Sequence, residues 1–232
     1  MRHLTRRSLI AGSSLLLLSA CTPGQQASSQ ASGAASASAS GSASASEDGA
    51  QGQRVEAGYQ LNSPVAEAPT VTLYTDLQCP YCAKADPKYR QAASQLEGSL
   101  NLVVRHFPLR SHANAVPAAQ AVQAAEGQGA YLPMAELLFE RQTQWGTLTT
   151  VNDLAATFVG YAQELGLDSE RFSQDLSAQA NLDLIQAELT AGAEAGVRGT
   201  PSFVLNGQVL EGVDSSSSVE ELVAAFRQAA GL

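Results

Sequence analysis

Cysteine is scarce in this chain, with three residues in 232. They are Cys21, Cys79 and Cys82, and the last two enclose Pro80 and Tyr81 in a C-x-x-C motif. If Cys21 has a separate use, as argued below, no pair is left for a structural disulfide. A single close pair of this kind indicates redox chemistry rather than covalent cross-linking of the fold.

Positive charge is also scarce, since 13 Lys and Arg residues stand against 22 Asp and Glu residues. Arg2, Arg6 and Arg7 lie in an N-terminal segment that we expect to be removed. Subtracting these three leaves ten cations against 22 acids, a net charge near −12. This balance argues against nucleic acid and against an anionic membrane surface as partners, and it also fits an ordinary acidic domain.

The apolar run at residues 9–18 is too short to span a bilayer comfortably. It follows a basic start and precedes small residues, so residues 1–20 are predicted to be an export signal peptide. The sequence Leu18-Ser19-Ala20-Cys21 resembles a bacterial lipobox, in which cleavage precedes a cysteine that then carries a lipid. We therefore expect a lipoprotein anchored through Cys21; the alternative is an ordinary signal with a chance cysteine.

The basic start also bears on the export route. Thr5-Arg6-Arg7-Ser8-Leu9-Ile10 resembles a twin-arginine signal, which would carry the protein across the membrane already folded. The alternative is a general export signal, because paired arginines are common in any basic start.

Residues 22–53 are almost wholly Ala, Ser, Gly and Gln. Such a segment cannot bury enough apolar surface to offset the entropy of ordering it. We expect residues 21–54 to be the lipidated cysteine with a disordered tether, and residues 55–232 to be the folded domain.

The rest of the chain predicts an α/β domain with a helical block in its middle. Strands are predicted at residues 71–75, 100–107, 202–205 and 208–212, and helices at 83–96, 113–126, 130–142, 151–165, from 168, at 182–195 and at 218–230. The order is β-α-β, then a helical insertion at about 111–196, then β-β-α. In the insertion, Met134, Leu137, Leu138, Phe139 and Trp145 are expected to pack the interior.

Three local motifs support this order. Asn206-Gly207 is a strong signal for a tight hairpin turn. Ser218 and Glu221 have the spacing of a capping box at the start of the last helix. Asn152-Asp153 offers candidate caps for the helix at 151–165.

The C-x-x-C motif lies between the first predicted strand and the first predicted helix. Cys79 therefore starts a helix, where free backbone N–H groups and the helix dipole favour an anion. This position lowers a thiol pKa and makes Cys79 the expected nucleophile, with Cys82 close enough to form a disulfide with it. Pro80 suits the first helical turn, since its missing N–H has no intrahelical partner to lose.

Three segments resemble the DsbA-like family, which has a thioredoxin fold with an inserted all-helical subdomain. They are Tyr74-Thr75-Asp76-Leu77-Gln78-Cys79-Pro80-Tyr81-Cys82, Arg105-His106-Phe107-Pro108-Leu109 followed by His112-Ala113-Asn114-Ala115, and Gly196-Val197-Arg198-Gly199-Thr200-Pro201-Ser202-Phe203. The resemblance extends over about residues 61–232. It implies a redox-active Cys79–Cys82 disulfide and a cis Thr200–Pro201 bond whose backbone binds substrate.

We expect Pro80, Tyr81 and Asp76 to tune the cysteine pair, because side chains at and beside the motif alter the stability of the thiolate. One position departs from the family pattern, because Leu73 occupies the place of a buried acid that many members carry six residues before the first cysteine. Asp76, Lys84 and water remain the alternatives for proton transfer at the second cysteine.

The expected function is an extracytoplasmic thiol–disulfide oxidoreductase that oxidises cysteines of exported proteins. Its partners would be those proteins, a membrane redox protein and the membrane itself through the lipid, and we expect neither a cofactor nor a metal. The closest alternative is a disulfide reductase or isomerase. Others are a metal-binding lipoprotein that uses Cys79, Cys82 and His106 or His112, and a non-catalytic binding lipoprotein.

Overall fold

The computed structural model describes residues 52–56 and 58–232, so the predicted signal peptide, Cys21 and nearly all of the predicted tether lie outside it. Its strands are β1 (Gln53–Val55), β2 (Gly58–Gln60), β3 (Thr70–Thr75), β4 (Asn101–His106), β5 (Ser202–Leu205) and β6 (Gln208–Val209). Its helices are α1 (Pro80–Gln95), α2 (Ala115–Glu126), α3 (Tyr131–Glu140), α4 (Gln142–Trp145), α5 (Val151–Glu164), α6 (Ser169–Leu176), α7 (Gln179–Glu194) and α8 (Val219–Ala230). Not one of these described helices combines the length and the apolar character needed to cross a membrane.

The described strands form one mixed sheet in the order β1-β2-β4-β3-β5-β6. Strands β3 and β4 are parallel, with Leu73 opposite Val104, and α1 connects them. Strand β5 is antiparallel to β3, and β6 is antiparallel to β5. The predicted β-α-β and β-β-α units are therefore confirmed, and the fold is the predicted thioredoxin-like α/β fold.

Strand β3 lies at the centre of the sheet and is covered on both faces. Leu73 belongs to the larger apolar cluster, which also contains Tyr89 and Phe203. Tyr74 belongs to a smaller cluster on the opposite face, with Phe107. Because neighbouring strand residues point to opposite faces, this double burial fixes β3 and the turn that follows it.

The predicted helical insertion is confirmed as helices α2 to α7, between β4 and β5. Helix α4 was not expected; its Trp145 is fully buried and donates from Nε1 to the Leu138 carbonyl at 2.8 Å. The caps predicted for α5 are wrong. Thr150 is the N-cap, and its hydroxyl accepts from the Asp153 N–H at 3.1 Å.

The turn and cap signals near the C-terminus are confirmed. Asn206 and Gly207 have φ values of 53° and 74°, the left-handed conformation that a tight hairpin turn needs. Ser218 and Glu221 form both hydrogen bonds of the capping box. Strand β6 ends at Val209, earlier than predicted, although Leu210 still donates to the β5 strand.

Strands β1 and β2 were not predicted. The sheet begins at Gln53, two residues before the expected start of the domain, and β2 pairs with β4 through Tyr59 and Val104. The Tyr59 ring stacks on the Tyr131 ring with centroids 3.7 Å apart. Each strand has only three residues, too few to show the alternation that reveals a strand in sequence.

Candidate active site

The C-x-x-C motif lies where the sequence predicts it, at the start of α1. Cys79 is the N-cap residue, with an extended backbone, and Pro80 occupies the first turn. The Cys79 carbonyl accepts from the Ala83 N–H at 3.2 Å, which closes the first helical turn. Cys79 and Cys82 are 3% and 1% exposed, and both are thiols in the structure.

The pKa values of the two thiols are shifted in opposite directions. A hydrogen bond from the Cys82 side chain is the largest cause that lowers the pKa of Cys79 to about 5, and the N–H groups of Cys82 and Tyr81 add to it. Burial is the largest cause that raises the pKa of Cys82, and the neighbouring Cys79 sulfur adds to it. At neutral pH the pair therefore holds one negative charge, on Cys79.

The Thr200–Pro201 segment faces the cysteine pair from a distant part of the chain. Its peptide bond is cis, as predicted. In its protonated form the Cys79 thiol donates to the Thr200 carbonyl, with an S–O distance of 3.4 Å. Both residues of the segment are half-buried, so their backbone lies at the edge of the site.

Asp76 is a buried carboxylate beside the pair. Its backbone N–H points at the Cys82 sulfur, 3.4 Å away. Its carboxylate accepts from the Gln78 N–H at 2.7 Å and the Leu109 N–H at 2.8 Å, and Oδ2 lies 2.8 Å from His112 Nδ1. Asp76 thus contacts Cys82 through its backbone, while its side chain joins the active-site turn to the loop after β4.

The other residues assigned to tuning lie on the open side of the site. Tyr81 is 58% exposed, and the Lys84 ammonium lies 5.6 Å from the centroid of its ring. Leu73, in the position of the missing acid, is packed in the larger apolar cluster. Of the named alternatives for proton transfer, Asp76 contacts Cys82 through its backbone N–H and not through its carboxylate, and Lys84 lies over Tyr81.

The two histidines considered as metal ligands lie in different surroundings. His112 is bonded to Asp76, whereas His106 is buried with its Nε2 2.8 Å from the Gln123 side-chain nitrogen. Burial, aided by the Arg54 charge, lowers the pKa of His106 to about 3, so this ring is neutral. Across the described residues, no three His, Cys, Asp or Glu side chains are grouped as a metal site.

Two amide side chains, which no sequence motif predicts, fasten the insertion to the active-site turn. Gln142, in α4, donates to the Cys79 carbonyl at 3.0 Å. Gln78 donates to the Gly146 carbonyl at 2.9 Å and accepts from the Asn114 N–H at 2.7 Å. No spacing rule predicts such bonds, because they join residues 36 to 68 positions apart.

The chain is similar to one family model and to several solved structures. A family model described as Thioredoxin matches residues 65–225. A thioredoxin-like oxidoreductase from Silicibacter pomeroyi DSS-3 is 26% identical, with a TM-score of 0.55 over 71% of this chain and 87% of that one. The oxidoreductase DsbA from Xylella fastidiosa shares the fold at 19% identity, with a TM-score of 0.59 over 73% and 88% of the two chains.

The curated proteins that match this chain in sequence are named as Na(+)/H(+) antiporters. The Na(+)/H(+) antiporter NhaA of Herminiimonas arsenicoxydans is 32% identical over 159 residues, which are 68% of this chain. The chain spans about a quarter of that antiporter, since the match covers 24% of its length.

Because the family model matches well over half of the chain, the protein belongs to the thioredoxin family, with the helical insertion of the DsbA-like form.

Proposed function

We propose that this protein is a thiol–disulfide oxidoreductase that acts through Cys79 and Cys82. The observation that carries the proposal is the asymmetry of the pair, with an acidic Cys79 at a helix start and a buried Cys82 of raised pKa. This asymmetry gives one sulfur that reacts with a partner and one that resolves the product. Membership of the thioredoxin family supports it.

The exchange proceeds in two steps. A substrate thiolate attacks Cys79 of the Cys79–Cys82 disulfide, that bond breaks, and Cys82 leaves as a thiolate that takes up a proton. A second substrate thiolate then attacks the substrate sulfur of the mixed disulfide, and Cys79 leaves as a thiolate. The substrate loses two electrons and gains a disulfide, while the protein ends as the dithiol.

We propose the oxidising direction because the low pKa of Cys79 stabilises the reduced form and makes Cys79 a good leaving group. The half-buried backbone at Thr200 and Pro201 would bind the segment of substrate next to its cysteine. A reductase or isomerase remains the alternative, since the same residues run the reaction in reverse.

The location is proposed from the N-terminal sequence. An export signal at residues 1–20 and a lipidated Cys21 would hold the domain at the outer face of the cell membrane, with exported proteins as substrates. A membrane protein that reoxidises the pair completes the proposed cycle. Ion transport is not proposed, because the match accounts for only 24% of the antiporter.

The positions of the two histidines do not favour the metal-binding alternative. His112 is bonded to Asp76, and His106 is buried beside Gln123. Within the described residues neither histidine is grouped with the cysteine pair as a metal site, so the sulfurs would need ligands from elsewhere.

Trapping of mixed disulfides tests the proposed function. Cys82→Ala removes the resolving thiol, so Cys79 should accumulate disulfides with cysteine-containing exported proteins, visible as bands lost on reduction. Cys79→Ala, with the buried cysteine left, is the matched control and should trap almost nothing. Equal trapping by both variants, or none by Cys82→Ala, would contradict the proposal and favour a binding protein.

A further inference from the structure

Most cations in the described part are held by partners within the fold. Arg54, Arg90, Arg141 and Arg171 form ion pairs, and Lys88 donates to two backbone carbonyls. Four other cations, Lys84, Arg110, Arg198 and Arg227, are exposed and have neither an ion pair nor a side-chain hydrogen bond within residues 52–56 and 58–232. Their charges are therefore available to a partner.

Three of the four, Lys84, Arg110 and Arg198, belong to segments that contain or adjoin residues in contact with the cysteine pair. Each comes from a different segment of the chain. Lys84 lies in α1, two residues after Cys82, with its ammonium 5.6 Å from the ring centroid of the exposed Tyr81. The Lys84 ammonium therefore lies next to the exposed Tyr81 side chain of the C-x-x-C motif.

The two arginines adjoin residues that contact the pair. Arg110 follows the residue whose N–H donates to Asp76 at 2.8 Å. Arg198 lies two residues before Thr200, whose carbonyl is 3.4 Å from the Cys79 sulfur. Three chain segments that contain or adjoin residues in contact with the cysteine pair therefore each carry one unpaired cation.

The nearest acid, Asp76, is buried and shared among donors of the fold, and the other acids on the α1 side are mostly paired. Asp86 and Glu136, on the α1 side, are already paired with Arg90. Glu140 lines a groove with Ala83 and is the exposed acid of that groove that has no ion pair within the described residues. In segments 76–84, 107–112 and 196–203 the exposed charged residues are thus all positive, in a chain whose formal net charge is −9.

We infer that Lys84, Arg110 and Arg198 form a cationic rim that selects substrate segments whose reacting cysteine is flanked by acidic residues. The inference rests on the proposed function and adds a substrate class to it. Complementary charge raises the rate of encounter and repels segments of the wrong sign. A polypeptide fits better than an anionic membrane, because the three cations belong to segments that contain or adjoin contacts of one cysteine pair and the whole chain is acidic.

The test uses three peptides of equal length with one cysteine flanked by Asp, Ser or Lys. Each reacts with the oxidised full chain, and its rate is divided by its rate with a small neutral disulfide, which removes differences in peptide thiol pKa. We expect the Asp peptide to react about tenfold faster than the Lys peptide near 0.01 M salt, and the ratio to approach one near 1 M.

Variants identify the cations responsible. Alanine at Lys84, Arg110 and Arg198 together should bring the ratio at low salt close to one, whereas lysine at both arginines should keep most of it. Arg227→Ala, an exposed arginine in the last turn of α8, is the matched control and should keep the full ratio.

Three results would overturn the inference. They are equal rates for all three peptides, an equal loss of preference in Arg227→Ala, and binding to vesicles that contain anionic lipid without any preference among peptides. A failure to react with any peptide would overturn the proposed function itself, and the inference with it.

Discussion

At the scale of single residues, Asp76 links the two halves of the site. Its carboxylate is buried and shared among three donors, and its N–H points at Cys82. A buried charge of this kind is stable only while its hydrogen bonds are satisfied. The position of the amide beside Cys82 therefore depends on donors from the loop after β4.

Asp76→Asn should lower the free energy of unfolding by about 2 kcal/mol, because one carboxylate oxygen becomes an NH₂ group that faces an N–H donor. Urea denaturation measures the change. Asp183→Asn, an exposed position, is the control and should unfold nearly as the wild type does. An unchanged midpoint for Asp76→Asn would show that its hydrogen bonds do not hold the turn.

The acidity of Cys79 gives a second prediction at this scale. In the reduced protein, the rate of alkylation at Cys79 should rise with a midpoint near pH 5. Cys82→Ala should move that midpoint upward, because it removes the hydrogen bond that lowers the pKa most. A wild-type midpoint near the ordinary cysteine value of about 8.5 would contradict the assignment of Cys79 as a thiolate.

At the scale of elements, one arginine joins β1, which also pairs with β2 in the sheet, to the helical insertion. Arg54 bonds to Glu126 at 2.6 Å and to Glu188 at 2.9 Å, and its guanidinium lies 5.9 Å from the Tyr131 ring centroid. Glu188 is buried, which raises its pKa. The short strand thus depends on an ion pair with a carboxylate that water does not solvate.

Arg54→Ala should lower the free energy of unfolding at pH 7 by about 2 kcal/mol, because it leaves the Glu188 charge buried without its cation. The loss should shrink as the pH falls toward 4.5, since a protonated Glu188 needs no cation. Arg171→Ala, from an exposed pair, should change stability little. Equal effects of the two variants would contradict this account.

Sequence predicted the elements whose signals are local. The apolar run of β3, the Asn206-Gly207 turn and the Ser218 cap each depend on neighbours in the chain. Strands β1 and β2 were missed because three residues carry no readable period. Helix α4 was missed because Trp145 ends a segment that reads as part of the helix before it.

The site residues that belong to a sequence motif were predicted, and the contacts that depend on the tertiary fold were not. Cys79, Cys82 and the cis Thr200–Pro201 bond came from motif position and family resemblance, and the structure brings them together. The bond between Asp76 and His112 was not foreseen, because it joins residues 36 positions apart that have no shared motif. Pairing of this kind follows from the tertiary fold alone.

At the scale of the whole molecule, the acidity of Cys79 couples redox state to stability. The folded pKa of Cys79, about 5, lies below the ordinary cysteine value of about 8.5 expected in the unfolded chain. Thiolate stabilisation is therefore complete above about pH 8.5 and is lost as the pH falls through about 5. The disulfide form has no such term. The reduced protein should therefore gain stability over the oxidised protein as the pH rises from about 5 to about 8.5.

The measurement that tests the central claim most directly is the reduction potential of the Cys79–Cys82 pair, from equilibrium with glutathione at pH 7. A stabilised thiolate predicts a potential above about −200 mV, within the range of proteins that oxidise others. A value near −270 mV, as in reducing thioredoxins, would contradict the oxidising role.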